Sequence, residues 1–116
     1  FDFLSGKIIG YDLNKNNKQL NIAKGYDHCF VLNKGQKIAA ELSELESGRL
    51  IQIFTDQPGI QLYTGNHLKG VFSKNQGLCL ETQHFPNSPN VNSFPSTFLK
   101  SNTNYYSKTS YHFKLI

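Results

Sequence analysis

Three polar residues interrupt runs of strand-forming residues: Glu81 within GLCLETQ (77–83), Asp27 beside HCFVL (28–32) and Gln61 within IQLYTG (60–65). In an extended chain successive side chains point to opposite faces, so Cys79, Glu81 and Gln83 share one face, with Leu78, Leu80 and Thr82 on the other. The same period sets Asp27 with Cys29 and Val31, opposite His28, Phe30 and Leu32, and sets Gln61 with Tyr63. Three strands thus offer one polar group each to a common cleft. A carboxylate among leucines is costly to bury unless its charge is paired or hydrogen-bonded. Glu81 is therefore the first candidate for a general base, a group that accepts a proton from a bound substrate. Judged by residue type alone, a glutamate on a strand is more often a solvent-facing neighbour of lysine than a catalyst.

Other reactive side chains carry weaker signals. His67 and His84 sit beside strand ends, where a histidine is usually a hydrogen-bonding surface residue, and no metal-ligand spacing can be assembled from them. Cys29 and Cys79 lie in apolar strands without an adjacent base, which raises a thiol pKa and suits neither to nucleophilic attack. Two cysteines are too few for a disulfide framework, and they read as reduced thiols of a cytoplasmic protein.

The elements that would position these groups are short strands. Gly, Asn, Pro and Ser punctuate the chain between alternating stretches, with nine Phe and six Tyr to fill a β core, so the class is all-β. Strands are expected at 28–32, 37–42, 49–56, 60–65, 77–83 and 109–115. Glu46-Ser47-Gly48-Arg49 turns the second into the third as a hairpin. AAELSELE (39–46) is rich in helix formers and competes with that hairpin; it is read as strand and turn. Residues 87–96, with two prolines and three asparagines, form an irregular loop.

At 116 residues the chain holds one small domain or part of one. No stretch approaches the ~18 apolar residues of a membrane span. The net charge of +4 comes from dispersed lysines with Arg49 as the only arginine, a solvated surface rather than a nucleic-acid footprint. The opening FDFLSGKIIG lacks Met and any signal-peptide pattern, so the true start of the protein is expected upstream.

Four stretches, taken in order, resemble the C-terminal half of the aldose 1-epimerase (galactose mutarotase) family: FDF (1–3) followed by Ile9-Gly10, GYDHCFVLN (25–33), TDQPGIQLYTGNHL (55–68) and GLCLETQHFPNSPN (77–90). The last continues into FPSTFLK (94–100), as the family's FPST-type segment does. The resemblance implies that residues 1–116 are the C-terminal portion of one large antiparallel β-sandwich, a mutarotase-like supersandwich whose N-terminal portion lies outside this chain. It implies interconversion of hexose anomers without cofactor or metal. Glu81 in LETQ matches the family's general base, and Asp27 in YDH and Gln61 in PGxQ match residues that hydrogen-bond sugar hydroxyls. The implied partners are an aldohexose and the N-terminal portion, with no nucleic acid or membrane.

Departures from the family pattern are few. The general-acid histidine belongs to an NHTYWNL-type motif that this chain does not contain, and His28, His67, His84 and His112 stand in other contexts. Cys29 replaces a residue that is often polar in the family. Rival readings are a non-catalytic sugar-binding sandwich, an epimerase of phosphorylated hexoses, which would want more than Arg49 for a phosphate, and a glycosidase using Glu81 and Asp27.

Overall fold

The structure, a computed structural model, describes residues 1–116. Six strands carry the fold: β1 (Asp27–Val31), β2 (Ala40–Glu44), β3 (Arg49–Thr55), β4 (Gly59–Tyr63), β5 (Cys79–Gln83) and β6 (Thr109–Leu115). They form two three-stranded sheets, ordered β1-β4-β5 and β2-β3-β6. The all-β expectation holds, and each strand falls within a few residues of its expected place. One short helix, α1 (Lys18–Ala23), was not anticipated. Asn17 caps it, its Oδ1 accepting the backbone N–H groups of Gln19 at 2.9 Å and Leu20 at 3.3 Å. Leu20 is its one buried residue.

By internal contacts the chain divides into two compact units, Phe1–His28 with Leu62–Leu80, and Cys29–Gln61 with Glu81–Ile116. In the first unit the core is built on Tyr26, fully buried, with Leu20 and Leu62. A buried polar lattice surrounds it. Thr64 Oγ1 accepts the Tyr26 N–H at 3.0 Å and Thr64 N–H donates to Tyr26 O at 3.0 Å. Asn66 Nδ2 donates to the carbonyls of Ala23 and Tyr26, both at 2.8 Å, and Asn75 Nδ2 donates to Thr64 O at 2.6 Å. Satisfied in this way, buried amides and hydroxyls cost little and fix one arrangement. Gly25 is required there: its φ of +143° suits glycine, and a Cβ would meet Asn66 Oδ1 at 2.2 Å.

Asp12 is the charged member of this unit, only 5% exposed. Lys15 Nζ lies 2.6 Å from its carboxylate, Lys7 Nζ contacts it too, and the Tyr26 hydroxyl donates to it at 3.4 Å. Lys15 first and Lys7 second hold its pKa down from 3.8 to about 2, against the opposing effect of burial. A depressed folded-state pKa means stability that is present above 3.8 and lost as the pH falls toward about 2. We therefore expect acid unfolding of wild type to steepen in that window, and Asp12→Asn to be less stable at neutral pH with a flatter acid profile. Urea midpoints measured across that range check this; parallel wild-type and variant profiles would refute it.

In the second unit β2 and β3 form the expected hairpin, in register from Ala40↔Ile53 to Glu44↔Arg49. The Glu44 carboxylate accepts the N–H groups of Glu46 at 2.7 Å and Ser47 at 2.8 Å, and Gly48 takes φ +67° to reverse the chain. Helix propensity at 39–46 loses because Ala40 and Leu42 gain cross-strand partners in Ile53 and Ile51. On its other side β3 pairs antiparallel with β6, Ile51 opposite Phe113 and Ile53 opposite Tyr111. Ile53 is fully buried, and Ile60 and Leu50 are buried as well, Leu50 on the opposite face of β3.

Candidate functional site

Strand β4 is the middle strand of the β1-β4-β5 sheet. In the second unit Leu32 N–H donates to Pro58 O at 3.0 Å, and in the first Thr64 N–H donates to Tyr26 O. Numbers rise on one strand as they fall on the other, so β1 and β4 run antiparallel with Cys29 opposite Gln61.

Within the second unit this arrangement gathers one polar face. A Cβ built on Gly59 would lie 2.9 Å from Cys29 Sγ and 3.0 Å from the Phe85 ring, so Gly59, and with it Gln61 two residues on, points to the Cys29 side of the sheet. That close approach is why glycine stands at the start of β4. The Cys29 thiol is hydrogen-bonded to the Gln83 side chain, which brings β5 to the same face, and Glu81 is two residues from Gln83. Gln61 and Glu81 therefore share a face, Gln61 half-buried and Glu81 exposed. Asp27 belongs to the first unit, at the start of β1, and is exposed. Its backbone N–H donates to His28 Nδ1 at 3.0 Å.

The opposite side of β5 is anchored. Thr82 Oγ1 lies 2.7 Å from Thr109 Oγ1, which lies 2.9 Å from Thr55 Oγ1, a hydroxyl chain joining β5 to β6 and β3. Just past β5, His84 Nδ1 is 2.8 Å from Gln57 Oε1, while Gln57 Nε2 donates to Ser107 Oγ at 2.6 Å and Tyr105 Oη at 2.9 Å. Asp56 accepts from Ser107 Oγ and from the Lys108 N–H, both at 2.8 Å, and these bonds hold its carboxyl below the usual range. Glu81 thus projects from a strand fixed from behind and at its end.

Two expectations need correction. Glu81 is open to solvent rather than buried. Cys79 is likewise exposed rather than enclosed, at the margin of an apolar recess with Tyr63, Leu68, Phe72 and Leu78 in the first unit. Cys29 behaves as expected: burial pushes its thiol pKa up, partly offset by the Gln83 hydrogen bond. Both cysteines are free, with no disulfide between them. The bond from the Asp27 N–H to His28 has no signature in spacing, since alternation sets His28 on the opposite face from Asp27. No group of three His, Cys, Asp or Glu side chains gathers to hold a metal ion, and no helix is long and apolar enough to cross a membrane.

A family model described as aldose 1-epimerase matches residues 1–112. The chain is 40% identical to a galactose mutarotase of Mus musculus over 78% of its own length and 30% of that protein. It is 38% identical to a galactose mutarotase of Sus scrofa over 90% of the chain and 33% of the relative. An aldose 1-epimerase of Escherichia coli (strain K12) is 36% identical over 97% of the chain and 36% of the relative. The chain spans about a third of the length of the curated relatives it matches.

Proposed function

The chain belongs to the aldose 1-epimerase family, and on that premise we propose that it supplies the general base and two sugar ligands to a mutarotase acting on aldohexoses such as galactose and glucose. Glu81 takes the proton from the anomeric hydroxyl while an acid protonates the ring oxygen, and the ring C–O bond breaks to leave an open-chain aldehyde. Rotation about C1–C2 and reclosure on the other carbonyl face, with both protons returned, gives the opposite anomer. Glu81 recovers its charge in each cycle. Asp27 and Gln61 hold sugar hydroxyls so that the anomeric proton lies within reach of the base. The observation that carries this reading is Glu81, unenclosed, on the same face as Gln61, within the LETQ and PGxQ segments.

The acid comes from elsewhere in the complete site, the N-terminal portion of the same fold. The β2-β3-β6 sheet supports that partner. β6 alternates Tyr111, Phe113 and Leu115 on one face with His112 and Lys114 on the other, the pattern of a strand with one buried and one wet side. The wet side is in order: Lys114 Nζ donates to Gln52 Oε1 at 2.7 Å and His112 packs on Phe54, ring centroids 4.5 Å apart. On the apolar side, the face it shares with Ile51 and the buried Ile53, the far end is uncovered, with Phe113 80% and Leu115 79% exposed, beyond what isolated surface residues account for. Free thiols at Cys29 and Cys79 fit a reducing, cytoplasmic setting.

The test is polarimetry on freshly dissolved α-galactose and α-glucose. The 116-residue chain alone is expected to leave the spontaneous rate unchanged, and the chain mixed or fused with the upstream two-thirds of the E. coli relative is expected to accelerate it. Catalysis by the chain alone would move the acid into these residues. A stable complex that binds sugar without turnover would replace the enzyme reading with a sugar-binding one.

A further inference from the structure

We propose that His28 is a positioning residue: its neutral ring holds the backbone of Asp27 in place, and protonating the ring releases Asp27 and weakens sugar binding. The second half rests on the reading of Asp27 as a sugar ligand; the first stands on geometry alone.

β1 is an edge strand of its sheet. In the first unit Tyr26 exchanges hydrogen bonds with Thr64 toward β4. Alternation along an antiparallel strand then turns the N–H of the next residue, Asp27, outward to the open edge, where no strand can accept it. The His28 ring folds back and does so, its Nδ1 3.0 Å from the Asp27 nitrogen. Nδ1 can accept only when it carries no proton, so the ring is the neutral Nε2–H tautomer. An imidazolium has N–H at both positions and would present a donor to a donor. The ring is not free to swing aside, since Phe1 packs edge-on at 4.7 Å between centroids and Tyr26 at 6.2 Å.

The groups facing the ring set its titration. Burial against these aromatics is the largest influence and lowers the His28 pKa from 6.5; the Asp27 carboxylate opposes it by favouring the cation. Asp12 reaches this cluster only through the Tyr26 hydroxyl, and Lys7 and Lys15 neutralise it. The bond therefore persists at neutral pH and breaks as the pH falls below 6.5.

The experiment is a pH titration of ¹⁵N-labelled chain by NMR, with galactose affinity measured on the same chain fused to the upstream two-thirds of the E. coli relative, on wild type, His28→Asn and His28→Leu. The Asn amide oxygen can take the place of Nδ1 as acceptor but does not titrate, whereas Leu offers no acceptor. In wild type the Asp27 amide signal is expected to shift with the same midpoint as the His28 ring signals, and galactose affinity to fall several-fold over the same range. In His28→Asn the amide and the affinity should be flat through that range, and in His28→Leu the affinity should already be weakened several-fold at neutral pH. An Asp27 amide indifferent to the ring's protonation overturns the proposal. An amide that follows the ring while galactose affinity shows no acid limb overturns its second half. Galactose binding to none of the three proteins at any pH strikes instead at Asp27 as a sugar ligand, with the amide result still deciding the link to His28.

Discussion

Glu81→Gln, in the chain completed by the upstream part of its fold, is expected to lower the rate of anomer interconversion by about 10² to 10⁴, with galactose affinity held within a few-fold. Glutamine keeps the size and one acceptor oxygen of glutamate but cannot take a proton, so the loss falls on the transition state and not on the bound sugar. The exposed position of Glu81 makes the substitution a clean one, since no buried partner loses a bond. Asp27→Asn in the same assay should separate from it: removing a charged acceptor from a sugar hydroxyl weakens binding by about 1 to 3 kcal/mol. Polarimetry for the rate and isothermal titration for the affinity distinguish the two. A Glu81→Gln protein that still turns over within about tenfold of wild type would remove the carboxylate from the base role.

Tyr26→Ala is expected to be the most damaging single change to the fold itself. Tyr26 is fully buried, packs edge-on with Phe1 at 5.2 Å and Phe3 at 5.4 Å, and its backbone closes the lattice with Thr64 and Asn66. Truncating a buried aromatic to alanine costs about 3 to 5 kcal/mol, a large share of the ~5 to 15 kcal/mol that holds a domain together. Tyr26→Phe keeps the ring and loses only the hydroxyl bond to Asp12, so it should cost about 1 kcal/mol. Chemical denaturation of the three proteins measures this order. If Tyr26→Ala were as mild as Tyr26→Phe, Leu20 and Leu62 would have to be the true centre of that core.

The strands were legible because their patterns are local: TSYHFKL alternates, and Gly48 marks the one place where β2 can turn into β3. Even 39–46 could be read, since Leu42 has a partner in Ile51 only if the segment is extended. α1 escaped because it rests on a single cap, Asn17, in an asparagine-rich stretch where any of several residues could have capped. Counting in twos set Glu81 with Cys79 and Gln83 and set Gln61 with Tyr63, but which faces of the two strands coincide depends on the Gly59 approach to Cys29 and on the Cys29–Gln83 contact, which no single strand reveals. The exposure of Glu81 was not legible either, for burial depends on what lies opposite a side chain, and a strand's own residues do not say. The His28 ring on the Asp27 N–H was hidden for another reason: alternation places His28 on the opposite face from Asp27, and only the ring's rotation brings Nδ1 back to the backbone.

The open edge of β6 and its exposed outer end also govern how this chain behaves as a material. β6 has β3 on one edge and no strand on the other, and it runs seven residues without a proline or bulge to blunt it. Unpaired N–H and C=O groups beside Phe113 and Leu115 form a template on which another extended chain can grow. Lys114 is the one charge within the strand that opposes such growth. In dilute cold buffer the chain should stay dispersed. Concentration, warming or a salting-out anion such as sulfate should each raise its light scattering, because all three favour removing apolar surface from water. The yield recovered after thermal melting should then be set by protein concentration more than by the intrinsic stability of either unit.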